Sequence, residues 1–206
     1  RRRQRQMCIR DSDSEGNILY PHVIHTMKNG VKVGLVGIVT DYINVWEKKE
    51  NLVGIQVVDP FEAAKKALED LQGKVDLTIC IYHGGFESDL ETGKRLSETT
   101  ENIGYKICTE LGFDVLLTGH QHMPVAGRMV NGTYTLQPLA NGREYAYVEI
   151  DLEKEAFSSG NATYPAAISS ITSKKVQPNP DNAKALCEKY SFVEDKVQEW
   201  LDAVSY

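Results

Sequence analysis

Three stretches of nearly continuous apolar residues constrain the fold of this chain more than any other feature. They are VKVGLVGIVT at residues 31–40, DLTICIY at 76–82 and FDVLLTG at 113–119. Strands that are apolar on both faces are typical of sheets covered by other layers on each side. The segments between the stretches have helical patterns, so the order of strands and helices predicts an α/β fold in which helices cover the sheet.

Local signals place two of the helices. Asp59 is a predicted N-cap and Pro60 is the predicted first residue of a helix that ends at Gly73. A second helix is predicted from about Glu98 to Leu111, between the second and third apolar stretches.

Three Asn-Gly pairs predict hairpin turns. Asn29-Gly30 joins two β-type runs, and Asn131-Gly132 and Asn141-Gly142 interrupt an alternating pattern that predicts an antiparallel meander. Residues 153–180 are polar and are interpreted as a loop with one short strand. The spacing of apolar residues predicts a helix over 181–206.

Charge and hydropathy limit the classes of function. The formal net charge of the chain is −6 and its pI is about 5.4, so nothing predicts binding to a nucleic-acid polymer or to an anionic membrane surface. No apolar run approaches the roughly 20 residues that span a bilayer. The positive charge of an anion-binding active site would have to come from something other than Lys and Arg, and a bound metal is one candidate.

The four cysteines are widely spaced and form no CxxC pair. They are Cys8, Cys80, Cys108 and Cys187. This pattern is typical of buried, reduced thiols rather than of a disulfide framework or a zinc knuckle. It favours a reducing compartment such as the cytoplasm.

Histidines follow two of the apolar stretches. His83 comes directly after TICIY, and His120 and His122 follow FDVLLTG in the motif GHQH. In extended backbone, residues two apart point to the same side, so the last two imidazoles could converge on one metal ion or straddle a pair of ions. Ligands of α/β sheets bind beyond the carboxyl ends of the strands. The three histidines are therefore predicted to form a metal site, whereas His22 and His25 have opposite parity on a strand and are interpreted as structural.

The loop after His83 is acidic. It contains Phe86, Glu87, Asp89 and Glu91. One interpretation is a lid or a supporting layer beside the metal site, and the other is a solvated loop. The second is preferred, because short runs of charge are usually exposed.

Four segments within residues 18–152 together resemble a known family. They are NGVKVGLVGIVT, DLTICIYHGGFESDLETG, GFDVLLTGHQHMPVAG and YTLQPLANGREYAYVEID. They resemble bacterial 5′-nucleotidases and 2′,3′-cyclic-nucleotide phosphodiesterases of the calcineurin-like metallophosphoesterase superfamily. The resemblance implies the C-terminal half of a four-layer αββα sandwich, and a site in which His83 and His120 hold one metal and His122 holds the other. VQEWLD near the end resembles the linker helix that leads to that family's nucleoside-binding domain.

The resemblance implies hydrolysis of the phosphate esters of nucleotides or cyclic nucleotides at two divalent metal ions. Two such ions lower the pKa of a bound water, hold phosphate oxygens and offset the charge of the transition state, which explains how an acidic protein acts on an anionic substrate. Imidazole ligands suit Mn, Zn, Fe or Co better than Ca or Mg. The family also allows a location in the periplasm or at the cell surface.

The other motifs of the superfamily are absent from the sequence. It contains no Asp-x-His, no Gly-Asp and no Gly-Asn-His, which in the family supply further ligands, the bridging carboxylate and the histidine of acid catalysis. We therefore expect a fragment that is inactive alone and whose catalytic residues lie in a missing N-terminal half. The expected parts are an adapter-like leader at 1–12, a partial metallophosphoesterase domain at 13–152, a loop or short strand at 153–180 and, at 181–206, a linker helix towards an absent nucleoside-binding domain.

Two other functions remain open at this point. A mononuclear zinc hydrolase with His83, His120 and His122 as its ligands requires no missing residues. A binding module that keeps the fold without the chemistry requires no metal at all. Metal analysis separates the three hypotheses, because they predict two ions, one ion and none.

Overall fold

The computed structural model describes residues 11–12, 22–53, 56–153 and 168–177. Its strands in chain order are β1 (Asp11–Ser12), β2 (Val23–Thr26), β3 (Lys32–Val39), β4 (Gln56–Val57), β5 (Leu77–His83), β6 (Val115–Thr118), β7 (Val125–Val130), β8 (Thr133–Gln137), β9 (Tyr145–Leu152) and β10 (Ile168–Val176). The helices are α1 (Ile43–Trp46), a 3-10 turn (Lys49–Leu52), α2 (Pro60–Leu71) and α3 (Gly104–Glu110).

Six of the strands form one sheet with the order β2-β3-β5-β6-β8-β7. The four central strands, β3, β5, β6 and β8, run parallel, and the two edge strands are antiparallel to their neighbours. The predicted α/β class is confirmed. Since the central strands are parallel, their carboxyl ends all lie along one edge of the sheet, which is where such sheets bind ligands.

Helix α2 begins as the sequence predicts. The Asp59 carboxylate accepts hydrogen bonds from the N–H groups of Phe61 and Glu62, at 2.8 and 3.1 Å, and Pro60 occupies the first turn. The helix packs closely on β3, because a Cβ atom at Gly34 would lie only 2.8 Å from Leu71 Cδ1.

The main core lies between one face of the sheet and the helices. Most of its buried side chains come from β3, α2, β5, α3 and β6, and they include Ile38, Leu71, Tyr82, Ile107 and Leu116. Burying a side chain of this size stabilises the fold by about 1.5–3 kcal/mol. The side chains of Cys80 and Cys108 are also fully buried in this core, as the sequence predicts, whereas Cys8 and Cys187 lie outside the described residues.

The opposite face of the sheet carries a smaller core. Val31, Val33 and Leu77 are buried there against residues of the antiparallel ribbon formed by β9 and β10. Further along β5 the same face opens to solvent, where Ile81 is 44% exposed. The two cores lie on opposite faces of one sheet, which is the layered arrangement that the apolar stretches predict.

Two turns agree with their Asn-Gly signals and one does not. Asn29-Gly30 joins β2 to β3, and Asn131-Gly132 joins β7 to β8. The predicted hairpin at Asn141-Gly142 is wrong, because β9 pairs with β10 instead of β8. Strand β8 is buried at all five of its residues and already has β6 on one side and β7 on the other, so it has no edge left to offer β9.

The helix predicted from about Glu98 is shorter than expected. It begins at Gly104, and the residues before it are irregular because their side chains contact loops at the edge of the sheet. The predicted C-terminal helix over 181–206 lies outside the described residues, as do residues 1–10 of the predicted leader. Residues 11 and 12 pair with β4. Over the described ranges of the chain, every helix is too short or too polar to cross a membrane.

Candidate functional site

The loops that follow β3, β5 and β6 meet at one edge of the sheet. The Thr40 N–H after β3 donates to the carbonyl of His83 at 3.1 Å. The Gly119 N–H after β6 donates to the carbonyl of Gly84, also at 3.1 Å. A backbone hydrogen bond therefore connects the loop after β5 to each of the other two loops. The side chains of these loops lie near one another at this edge of the sheet.

The structure brings His83 and His120 together in this region. His83 is the last residue of β5, and the centroid of its ring lies 5.2 Å from that of His120. Burial lowers the pKa of His83 below its ordinary value, and the charges of His120 and His122 lower it further. The lowered pKa favours the neutral form of the His83 imidazole, which is the form that binds metals.

The backbone of the GHQH motif is not extended, so the prediction that its histidines face the same way by strand parity is wrong. His120 has φ 64° and His122 has φ 58°, both in the left-handed region. This region is uncommon for residues other than glycine and costs roughly 1–2 kcal/mol per residue. Backbone of this kind is concentrated at functional sites and persists where neighbouring contacts hold it.

Two glutamine side chains hold this strained loop in place. The amide of Gln121 forms two hydrogen bonds with the backbone of Phe86, which follows β5. The amide of Gln137 at the end of β8 is fully buried, and its Nε2 donates to the carbonyl of Met123 at 2.6 Å. Gly85 leaves the space for the first contact, because a Cβ atom there would collide with the Gln121 side chain.

The ring of His120 has two further neighbours. Its Nε2 lies 2.9 Å from Glu101 Oε1, and the ring of Trp46 lies 5.0 Å away by centroid. The side chains of His120 and Glu101 are 18% and 31% exposed, so the contact is partly shielded from water. Sequence periodicity gave no signal for Glu101 or Trp46, since each depends on a contact between segments far apart in the chain.

The acidic loop after β5 is only partly a solvated loop. Phe86 and Glu87 are buried, at 5% and 6% exposure, which corrects the interpretation for these two residues. Phe86 belongs to the main core, and the Glu87 carboxylate accepts hydrogen bonds from backbone N–H groups at the start of α3. Hydrogen bonds from Thr92 lower the pKa of the Asp89 side chain. The exposed Glu91 forms an ion pair with Arg128 at 3.0 Å.

The remaining histidines lie outside the cluster. His25 is exposed in β2 and is paired in register with Val33, near the amino end of β3 and away from the ligand-binding edge. His22 precedes β2, and its Nδ1 is buried and has no hydrogen-bond partner among the residues that the structure describes. In the part of the chain that the structure describes, no group of three or more His, Cys, Asp or Glu side chains is arranged so that it could hold one metal ion.

Comparison with known proteins identifies relatives of the chain, although no family profile matches it. The trifunctional nucleotide phosphoesterase YfkN of Bacillus subtilis is 28% identical over 165 residues, which are 72% of this chain and 11% of that protein. A 2′,3′-cyclic-nucleotide 2′-phosphodiesterase/3′-nucleotidase of Salmonella typhimurium is 30% identical over 100 residues, which are 48% of this chain and 14% of that protein. The chain thus spans a small part of the length of these relatives.

Solved structures share its fold. A candidate 5′-nucleotidase from Staphylococcus aureus superposes with a TM-score of 0.70 at 23% identity, and the match covers 85% of this chain and 33% of that one. The calcineurin-like phosphoesterase YfkN from Bacillus subtilis superposes with a TM-score of 0.65 at 22% identity, covering 83% and 55% of the two chains. The resemblance seen in the sequence is confirmed: the chain is related to the 5′-nucleotidases and calcineurin-like phosphoesterases and shares their fold.

Proposed function

We propose that the chain contributes His83, His120 and His122 as metal ligands to the active site of a phosphoesterase that hydrolyses nucleotide phosphate esters. The observation that supports this most directly is the contact between His83 and His120 at the carboxyl ends of adjacent parallel strands. The left-handed backbone at both histidines of the GHQH loop is a second support, because strained residues of this kind are concentrated at functional sites.

The donor set fits divalent transition metals. The lowered pKa of His83 favours the neutral imidazole, which is the form that binds metal. We place His83 and His120 on one ion, since their rings are in contact, and His122 on a second ion. This division follows the resemblance to the calcineurin-like phosphoesterases, and a mononuclear zinc site on the same three histidines is the alternative. Mn, Zn, Fe and Co suit such ligands.

Bound divalent cations would supply the positive charge that an anionic phosphate ester requires, in a chain whose own net charge is −6. The names of YfkN and of the Salmonella relative favour nucleotides as the substrate class. The sequence has none of the motifs that supply the superfamily's other ligands. We therefore propose that this chain by itself binds metal weakly and hydrolyses little substrate.

The experiment compares variants of the full-length gene product. We expect His120→Ala and His122→Ala to lose metal and almost all hydrolysis of bis-p-nitrophenyl phosphate and of a 2′,3′-cyclic nucleotide, assayed with added Mn or Zn. His25→Ala is the matched control, because it removes an exposed imidazole elsewhere on the same sheet, and it should retain activity.

Metal content decides between the alternatives. Two ions per chain, of which each variant loses at least one, support the proposal, whereas one ion supports the mononuclear zinc site. Absence of both metal and turnover in the wild type supports a binding module. If His120→Ala kept full metal content and near-normal turnover, the assignment of this residue would be wrong.

A further inference from the structure

Three consecutive residues before α3 each contact a different loop of the site. Thr100 Oγ1 donates to the Asp41 carboxylate after β3, at 3.2 Å, and Asn102 Oδ1 accepts from the Gly85 N–H after β5, at 2.6 Å. Between them, Glu101 contacts His120 after β6. This segment, Thr100–Asn102, therefore fixes the position of the Glu101 carboxylate relative to all three loops.

The contact between Glu101 and His120 determines which nitrogen of the His120 imidazole carries the proton. An ionised carboxylate only accepts hydrogen bonds, so the proton shared across the 2.9 Å contact belongs to His120 Nε2. In a neutral imidazole the other nitrogen, Nδ1, then carries the free lone pair. The tilted packing of the ring on Trp46, at 34° between planes, further restricts its rotation.

We propose that Glu101 is a positioning residue that makes Nδ1 the metal-binding atom of His120. This inference rests on the proposed function, since it assumes that His120 holds a metal. A carboxylate that accepts the second N–H of a metal-binding histidine fixes the tautomer and ring orientation and makes the ligating nitrogen more basic. Glu101 acts through His120 and does not itself contact the ion.

The backbone of Glu101 is anchored independently of its carboxylate. Its carbonyl accepts a hydrogen bond from the Tyr82 hydroxyl at 3.2 Å, and Tyr82 is buried in the main core. A substitution of the side chain therefore leaves this anchor and those of Thr100 and Asn102 in place. The substitution should therefore change the tautomer and orientation of the His120 ring, while the segment Thr100–Asn102 keeps its position.

The test uses two substitutions and a control in the full-length gene product. Glu101→Ala removes the acceptor, whereas Glu101→Gln keeps a neutral acceptor oxygen and loses the charge. Glu98→Gln is the matched control, because Glu98 lies in the same irregular segment and its side chain is 90% exposed and paired only with Arg95 among the described residues. The probe is Zn²⁺ added to metal-free protein, and binding is measured by competition with a chelator.

We expect Glu101→Ala to weaken Zn²⁺ binding by about 10- to 100-fold. Glu101→Gln should weaken it less, and Glu98→Gln should leave it unchanged. Proton–nitrogen correlation spectra of the histidine rings provide a readout that a purely structural role would not move. His120 should carry its proton on Nε2 in the metal-free wild type at about pH 8, where histidine is ordinarily neutral. Zn²⁺ should then shift the Nδ1 resonance, and Glu101→Ala should show a mixture of tautomers.

The outcomes separate this inference from the proposed function. If the wild type binds Zn²⁺ and His120→Ala abolishes binding, but Glu101→Ala binds as tightly as wild type, the inference is wrong and the proposed function stands. A Zn²⁺-shifted Nε2 resonance of His120, or a proton on Nδ1 in the metal-free protein, would also overturn it. If His120→Ala leaves Zn²⁺ binding unchanged, the proposed ligand assignment fails, whatever the tautomer.

Discussion

The side-chain amide of Gln121 forms a closed pair of hydrogen bonds with the backbone of Phe86. Its Oε1 accepts the Phe86 N–H and its Nε2 donates to the Phe86 carbonyl, both at 3.0 Å. Gln121 lies between the two left-handed histidines, so this pair joins the loop after β6 to the loop after β5 where the backbone of the former is most strained. These hydrogen bonds connect the loop that carries His120 to the loop that carries His83.

Removing this pair should destabilise the protein and loosen the site. Gln121→Ala leaves two backbone groups of Phe86 without their partner, and we expect the free energy of unfolding to fall by about 1–3 kcal/mol. Metal affinity should fall as well, because His120 and His122 lose the contact that holds their backbone. Urea unfolding of the metal-free protein and Zn²⁺ titration measure the two effects separately.

Gln72→Ala is the control for this substitution, since it removes an exposed glutamine side chain at the end of α2. It should change neither quantity measurably. A Gln121→Ala protein with the stability and Zn²⁺ affinity of Gln72→Ala would show that the loop holds its conformation without the pair.

Glu87 stabilises the start of α3 from a buried position. Its two carboxylate oxygens accept the N–H groups of Lys106 and Tyr105, at 2.7 and 3.0 Å. Glu87→Gln replaces one acceptor oxygen with an amide that faces a donor, so we expect a loss of about 1.5–3 kcal/mol in the free energy of unfolding, the range for hydrogen bonds to charged groups. Thermal and urea unfolding measure the loss.

The control for Glu87 is Glu91→Gln in the same loop. Glu91 is exposed and its ion pair with Arg128 lies at the surface, so its removal should cost less than about 1 kcal/mol. Equal losses for the two variants would contradict the role assigned to Glu87. The comparison also tests the correction of the acidic loop, since a solvated loop would make both substitutions mild.

Local signals in the sequence predicted the parts of the fold that depend on local contacts. The cap at Asp59 and the turn at Asn29-Gly30 involve residues within a few positions of each other, and both are as expected. The hairpin at Asn141-Gly142 failed because the pairing of β8 depends on β6 and β7, which occupy both of its edges. An Asn-Gly pair predicts a turn, but it does not indicate whether the neighbouring strand still has an unpaired edge.

For the candidate site, too, the sequence predicted some features correctly and missed those that depend on contacts between distant segments. Strand ends placed His83 and His120 at one edge of the sheet, because the carboxyl ends of parallel strands coincide. The parity argument for His120 and His122 failed because Gln121 and Gln137 bind distant backbone groups and select a left-handed conformation. A long amide between two histidines is the one sequence signal that could have suggested such an anchor.

The lowered pKa of His83 predicts how the metal-free protein responds to acid. Burial is the main cause and the charges of His120 and His122 add to it, so the folded protein binds a proton at His83 less readily than the unfolded chain does. Below the ordinary histidine pKa of about 6.5, the unfolded chain therefore takes up more protons, and stability falls as the pH drops through the window between that value and the lower folded pKa. Above about pH 6.5 His83 is mostly neutral in the folded and the unfolded chain alike, so this loss of stability is absent.

NMR titration of the histidine rings and urea unfolding across about pH 5–8 test this prediction in metal-free protein. The pKa of His83 should lie below about 6.5 in the wild type and rise in His120→Ala, which removes one of the two neighbouring charges. Wild type should lose more stability than His83→Asn as the pH falls, because the asparagine does not titrate. Parallel stability curves for these two proteins, or a His83 pKa that His120→Ala leaves unmoved, would contradict the electrostatic coupling between the two imidazoles.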